Sequence, residues 1–146
     1  YDEQFDYARN PVTFPVEAAS RSHVEGETEE QAQILNEYHA RLTRLHPLRE
    51  TLIRLREASW EAEIVFGESI DALVLPIQDS YTELSRSIRG YFDVSLEEAK
   101  LGRSFMPPEL ESKARDMIYG VSDDAIGKNV DAVIKRLTDY LHKVII

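Results

Sequence analysis

No cysteine occurs anywhere in the 146 residues. Disulfides, thiolate metal sites and cysteine nucleophiles are therefore excluded. The absence fits a reducing compartment, although many exported chains lack cysteine as well. Long apolar runs are missing too. The longest, Ala72-Leu73-Val74-Leu75-Pro76-Ile77, falls far short of the roughly 20 residues a membrane span needs, so no span is expected within this chain. Glycine is sparse and scattered, with 6 in all. A phosphate loop needs clustered glycines and a Lys-Ser or Lys-Thr pair, and none is present. Positive charge is also in deficit: the formal net charge is -10. Such a chain repels nucleic acid and anionic lipid on average, so no nucleic-acid partner is expected. The first residue is Tyr1 and the first methionine is Met106, which suggests a piece of something longer.

What is there reads as helix. Residues 1–27 hold Pro11, Pro15, many acids and no clear apolar period, and are expected to form a partly ordered arm that adds little to the fold. A short helix is allowed from Pro15, since a first helical position tolerates the missing N–H. Residues 28–146 are expected to form a single helical bundle domain. Thr28 and Gln31 have the spacing of a capping box. Leu35, Tyr38, Leu42 and Leu45 follow at steps of three and four, and Leu48, Leu52, Leu55, Ala62 and Phe66 rebuild the stripe beyond Pro47, where a kink or a break is expected. Gly67 is placed to end that helix.

The clearest signal comes next. Ile70, Leu73, Ile77, Tyr81, Leu84, Ile88 and Tyr91 fall within an arc of about 80° on a helical wheel. Pro76 lies inside this run without disturbing its phase, which predicts a kink and not a break. Ser95 and Glu98 have capping-box spacing and suggest a separate short helix stopped by Gly102. Pro107-Pro108 then open a helix through Leu110, Ala114, Met117 and Ile118 to Gly120. A turn at Ser122-Asp123-Asp124 and Gly127 precedes a last amphipathic helix from about Asn129, carried by Val130, Ile134, Leu137, Leu141 and Val144. No alternating strand pattern runs longer than a few residues. The fold class is all-α, a small bundle of three to four main helices with the long ones kinked near prolines.

Catalytic signatures are thin. The four histidines are His23, His39, His46 and His142. A di-iron bundle presents Glu and, three residues on, His from each of two helices. Only Asp139 before His142 offers a ligand at that offset, and it is single. We therefore assign no metal and no cofactor. A hydrolase elbow needs glycine on both sides of the serine. Gly67-Glu68-Ser69-Ile70-Asp71 lacks the second, so no catalytic residue is named. Arg41, Arg44, Arg49, Arg54 and Arg56, with His39 and His46, form one basic segment between acidic stretches. It suits an acidic ligand. Its spread around the wheel favours the alternative, arginine stems flanking the leucine stripe and pairing with the acidic arm. Trp60 and the pair Tyr91-Phe92 suit an interface, but at helical spacing in a bundle such residues are more often core or core rim.

The stretches Leu45-His46-Pro47-Leu48, Ala62-Glu63-Ile64-Val65-Phe66-Gly67-Glu68-Ser69-Ile70 and Ser122-Asp123-Asp124 with Val130-Asp131-Ala132-Val133-Ile134 resemble a set of uncharacterised bacterial proteins. Those carry one N-terminal membrane-spanning helix followed by a helical soluble domain. The likeness runs from about Asn36 to Ile146 and excludes the first 27 residues. It implies a soluble domain on the cytoplasmic side of a protein anchored to the inner membrane, and it brings no catalytic residues. The expected function is a non-catalytic helical interaction domain that binds a protein partner or its own copy. The alternatives are a helical ligand-sensing or signal-relay domain and an enzyme with an unidentifiable site. A polar-lined cavity inside the bundle would favour sensing, and a closed core with an exposed apolar patch would favour interaction.

Overall fold

In the computed structural model, residues 1–67, 70–121 and 124–145 are described, the last without its side chain. Six helices account for most of them, and no strand occurs among the described residues: α1 (Asp2–Arg9), α2 (Pro15–Ala19), α3 (Glu29–Phe66), α4 (Asp71–Leu101), α5 (Pro108–Tyr119) and α6 (Ala125–Ile145). The all-α class is as expected. The short helices raise the count above the three or four main ones. At 1.5 Å per residue α3 is about 57 Å long and α4 about 46 Å.

The capping box forms as its spacing implies. Gln31 N donates to Thr28 Oγ1 at 3.2 Å, and Thr28 N donates to Gln31 Oε1 at 3.1 Å. From there α3 runs unbroken through Pro47 to Gly67, which closes it in the left-handed conformation at φ 70°. Helix α4 likewise continues through Pro76. The two long helices pack as an antiparallel hairpin, with Tyr38 stacked on Phe92 near one end and Ser59 Oγ bonded to Asp71 near the other. Helices α5 and α6 pack on α4, and α1 and α2 on α3.

The core runs the length of this arrangement. Leu45, Leu48, Leu84, Ile88, Phe92, Ile118, Ile126 and Val130 form its main cluster, and Leu52, Ile77 and Val133 extend it toward the hairpin tip. Burying an aliphatic side chain of this size contributes roughly 1.5–3 kcal/mol. The α4 stripe faces this core as read. Ile77, Leu84 and Ile88 are closed from solvent, while Arg86 on the far side is exposed.

Three expectations need correction. The arm is part of the core: Phe5 and Ala8 of α1 are 1% and 0% exposed and sit among Leu45, Leu48, Ile118 and Val130. Eight residues give one turn of apolar spacing, too few to show a period. Second, Ser95 starts no helix. Its hydroxyl donates to the Tyr91 carbonyl inside a continuous α4, and Glu98 instead caps the following loop by accepting from the N–H groups of Phe105 and Met106. Third, α6 begins at Ala125, one turn before Asn129, because Asp124 caps it: Gly127 N donates to Asp124 Oδ1 at 2.8 Å. The expected turn at Ser122 and Asp123, and Glu68 and Ser69 of the serine-containing segment, lie outside the described residues.

Candidate interaction surface

The basic segment of α3 divides in two. Arg41 and Arg44 are 0% and 1% exposed. Arg44 Nε and Nη2 both donate to the Glu17 carboxylate at 2.6 Å, and its remaining donors reach the Asn10 and Val12 carbonyls. Arg41 donates to the carbonyls of Asn10 and Pro11. The guanidinium of Arg44 also lies over the rings of Tyr7 and Phe14. Two buried arginines thus satisfy the turn between α1 and α2, where an irregular backbone would otherwise bury unpaired carbonyls. Bonding to Arg44 holds the Glu17 carboxyl down to about 2, against an ordinary 4.5. A third arginine, Arg9, reaches from α1 to Asp124 and the Met117 carbonyl. There the close approach requires glycine: a Cβ at Gly120 would lie 2.8 Å from Arg9 Nη2, and one at Gly127 would lie 2.0 Å from Asp124 Oδ2.

The outer half of α3 is the opposite case. Ile53, Trp60 and Ile64 are 41%, 49% and 85% exposed. Their spacing of seven and four puts them on one line of the helix, about 100° round from the side that packs on α4, which is marked by buried Leu52 and Ser59. Val65, Phe66 and Leu75 add exposed apolar surface at the hairpin tip. Arg56 lies 5.3 Å over the Trp60 ring. The interface signal of the aromatics therefore resolves. Phe92 is buried and Tyr91 half-buried, whereas Trp60, the one tryptophan of the chain, faces solvent.

The histidines and acids of the described residues have their own surroundings. Ser20 Oγ and His39 Nε2 are 2.9 Å apart, the distance of a nucleophile–base pair. The Ser20 hydroxyl, however, donates its proton to the Glu17 carbonyl at 2.8 Å. In that arrangement the serine proton is turned toward the carbonyl and away from the imidazole. His23 is tied to Glu27 and Arg21, and His46 and His142 are exposed. Among the described residues no three His, Asp or Glu side chains converge to hold a metal. The larger hollows flank α5 and open to solvent. One is a cleft of about 670 Å³ between Glu83, Glu109, Asp116 and Ile126, and another a groove of about 470 Å³ lined by Tyr91, Val94, Phe105, Leu110 and Met117.

Comparison with protein-family models, with curated proteins and with solved structures finds no match to this chain. No described helix is long and apolar enough to cross a membrane.

Proposed function

We propose that this chain is a non-catalytic helical interaction domain that binds a protein along the outer face of α3. The observation that carries the reading is the line Ile53–Trp60–Ile64, exposed at helical spacing on a helix whose core-facing side, about 100° away, is already closed by packing. Apolar side chains contribute less to folding from such positions than from the core, yet they are the anchors a partner helix takes up as it docks. The clefts beside α5 are surface features and not an enclosed chamber, which supports interaction over sensing. The likeness noted above supports a further proposal, that the domain is the soluble part of a bacterial protein anchored to the inner membrane and lies on its cytoplasmic side. The complete gene would then encode an apolar run of about 20 residues before Tyr1.

The test of the docking face is site-specific photo-crosslinking in cells that produce the protein. A photoreactive residue at position 64 should give discrete protein adducts, and one at exposed position 86 should give none. Equal labelling, or no adduct at position 64, would reject the face.

A further inference from the structure

The exposed line on α3 is flanked by charges arranged in an order that names a partner. Written as a heptad, Glu50, Glu57 and Ile64 take position a, Ile53 and Trp60 take d, Arg54 and Glu61 take e, and Arg56 and Glu63 take g. Along each edge the sign reverses from base to tip: Arg54 then Glu61 on one side, Arg56 then Glu63 on the other. Among the described residues none of these four forms an ion pair within the chain. A partner helix of uniform charge would meet like charge on half of each edge. A copy of α3 itself, run in the opposite direction, meets opposite charge along both edges.

In antiparallel pairing a faces d, e faces e and g faces g. With Glu57 opposite Trp60 of a second copy, Ile53 lies opposite its Ile64, Arg54 opposite its Glu61, and Arg56 opposite its Glu63. A two-fold axis makes each of these contacts occur twice. Other alignments are penalised. A slip of one heptad one way sets Arg54 against Arg54 and Arg56 against Arg56. A slip the other way sets Glu61 against Glu61 and Glu63 against Glu63. A parallel pair stacks Glu50 on Glu50 and Glu57 on Glu57 at the seam. Such like-charge juxtaposition is how helical pairs reject wrong orientations and registers. An anionic membrane is disfavoured by the same acids, because Glu57 interrupts the apolar line and Glu50 and Glu61 border it.

We propose that the partner at this face is a second copy of the chain, its α3 running antiparallel in the register that sets Ile53 against Ile64. The proposal rests on the docking face assigned above and adds the identity of the occupant. With the face from Glu50 to Ile64 only about 21 Å long and a carboxylate at its centre, the pairing is reversible and depends on concentration.

Sedimentation of the whole chain over a concentration series, with charge reversal, reads the pairing. Arg54→Glu and Glu61→Arg should each weaken the dimer by about tenfold, and the two changes together should restore it. The cysteine-free background gives the register directly. Chains carrying Ile53→Cys mixed with chains carrying Ile64→Cys should form a covalent pair on mild oxidation, and neither should link to itself. Self-linking at either position would establish a parallel pair and overturn the proposal, as would a double charge reversal that fails to rescue. A chain that stays monomeric throughout also overturns it. In that case, adducts to a different protein at position 64 would leave the docking face standing, and their absence would remove both.

Discussion

One helix, α3, carries arginines to two different ends. At its base Arg41 and Arg44 are buried and donate their hydrogen bonds to the chain's own first 17 residues. About 19 Å further along, Arg54 and Arg56 border an apolar line left exposed by the described residues. The residue type is the same and the local helix is the same. What differs is whether a second segment lies over the face. Arginine at the base is a structural group whose removal leaves unpaired buried partners, and arginine in the outer half is free to serve an external contact.

The comparison breaks most visibly at the arm. A chain starting at Gly26 loses Phe5 and Ala8 from the core and strips Arg41 and Arg44 of their acceptors. We expect it to lose about 5 kcal/mol or more and to melt without a cooperative transition, as followed by circular dichroism. A truncated chain that melts like the parent would mean that the arm is an appendage. Next in size is the contrast between Arg44→Ala and Arg54→Ala. The first leaves the Glu17 carboxylate buried without its partner and should cost about 3–5 kcal/mol in urea unfolding. The second alters a solvated position and should stay within about 0.5 kcal/mol.

Acid sharpens the same contrast. With its folded pKa near 2 and an ordinary value of 4.5, Glu17 contributes stability that is fully present above about pH 5 and is lost as the pH falls toward 2. Glu27, held down to about 2 by Arg21 and His23, works in the same window. The melting temperature should therefore be flat from neutral pH down to about 5 and fall below it, and Glu17→Gln should melt lower at neutral pH with a shallower acid slope. A slope unchanged by the substitution would mean that the Glu17–Arg44 pair is not the titrating element. The smallest effect is expected at the tip. Ile64→Ser, at a position 85% exposed, should change monomer stability by less than about 0.5 kcal/mol, measured at a protein concentration too low for pairing.

The stripe of α4 was legible because seven apolar residues in register over six turns leave one geometry open to them. The capping box at Thr28 and the stop at Gly67 were legible because each is a contact within one turn. Asp124 as the cap of α6 was missed because Gly127, read as a turn residue, is in fact the position that admits the carboxylate. The arm was missed for a different reason. Arg41 and Arg44 stand where a polar residue reads as surface, and their partners lie 27 to 34 residues away in sequence.

The line Ile53–Trp60–Ile64 was hidden by its neighbours. With Leu48, Leu52 and Leu55 on the same helix, one apolar face was enough to account for the pattern. A second face of three residues, spaced by charges, carries no separate signal until the first is seen to be occupied. What the sequence by itself determined is therefore the two long helices, both ends of α3 and the inward face of the hairpin, all set by interactions within a turn or by periodicity along one element. Which arginines are buried, that the first residues belong to the core, and that a second apolar face is left uncovered were decided by the tertiary structure alone. Those facts depend on which segment comes to lie over which face, and a periodicity along one helix does not encode what packs against it.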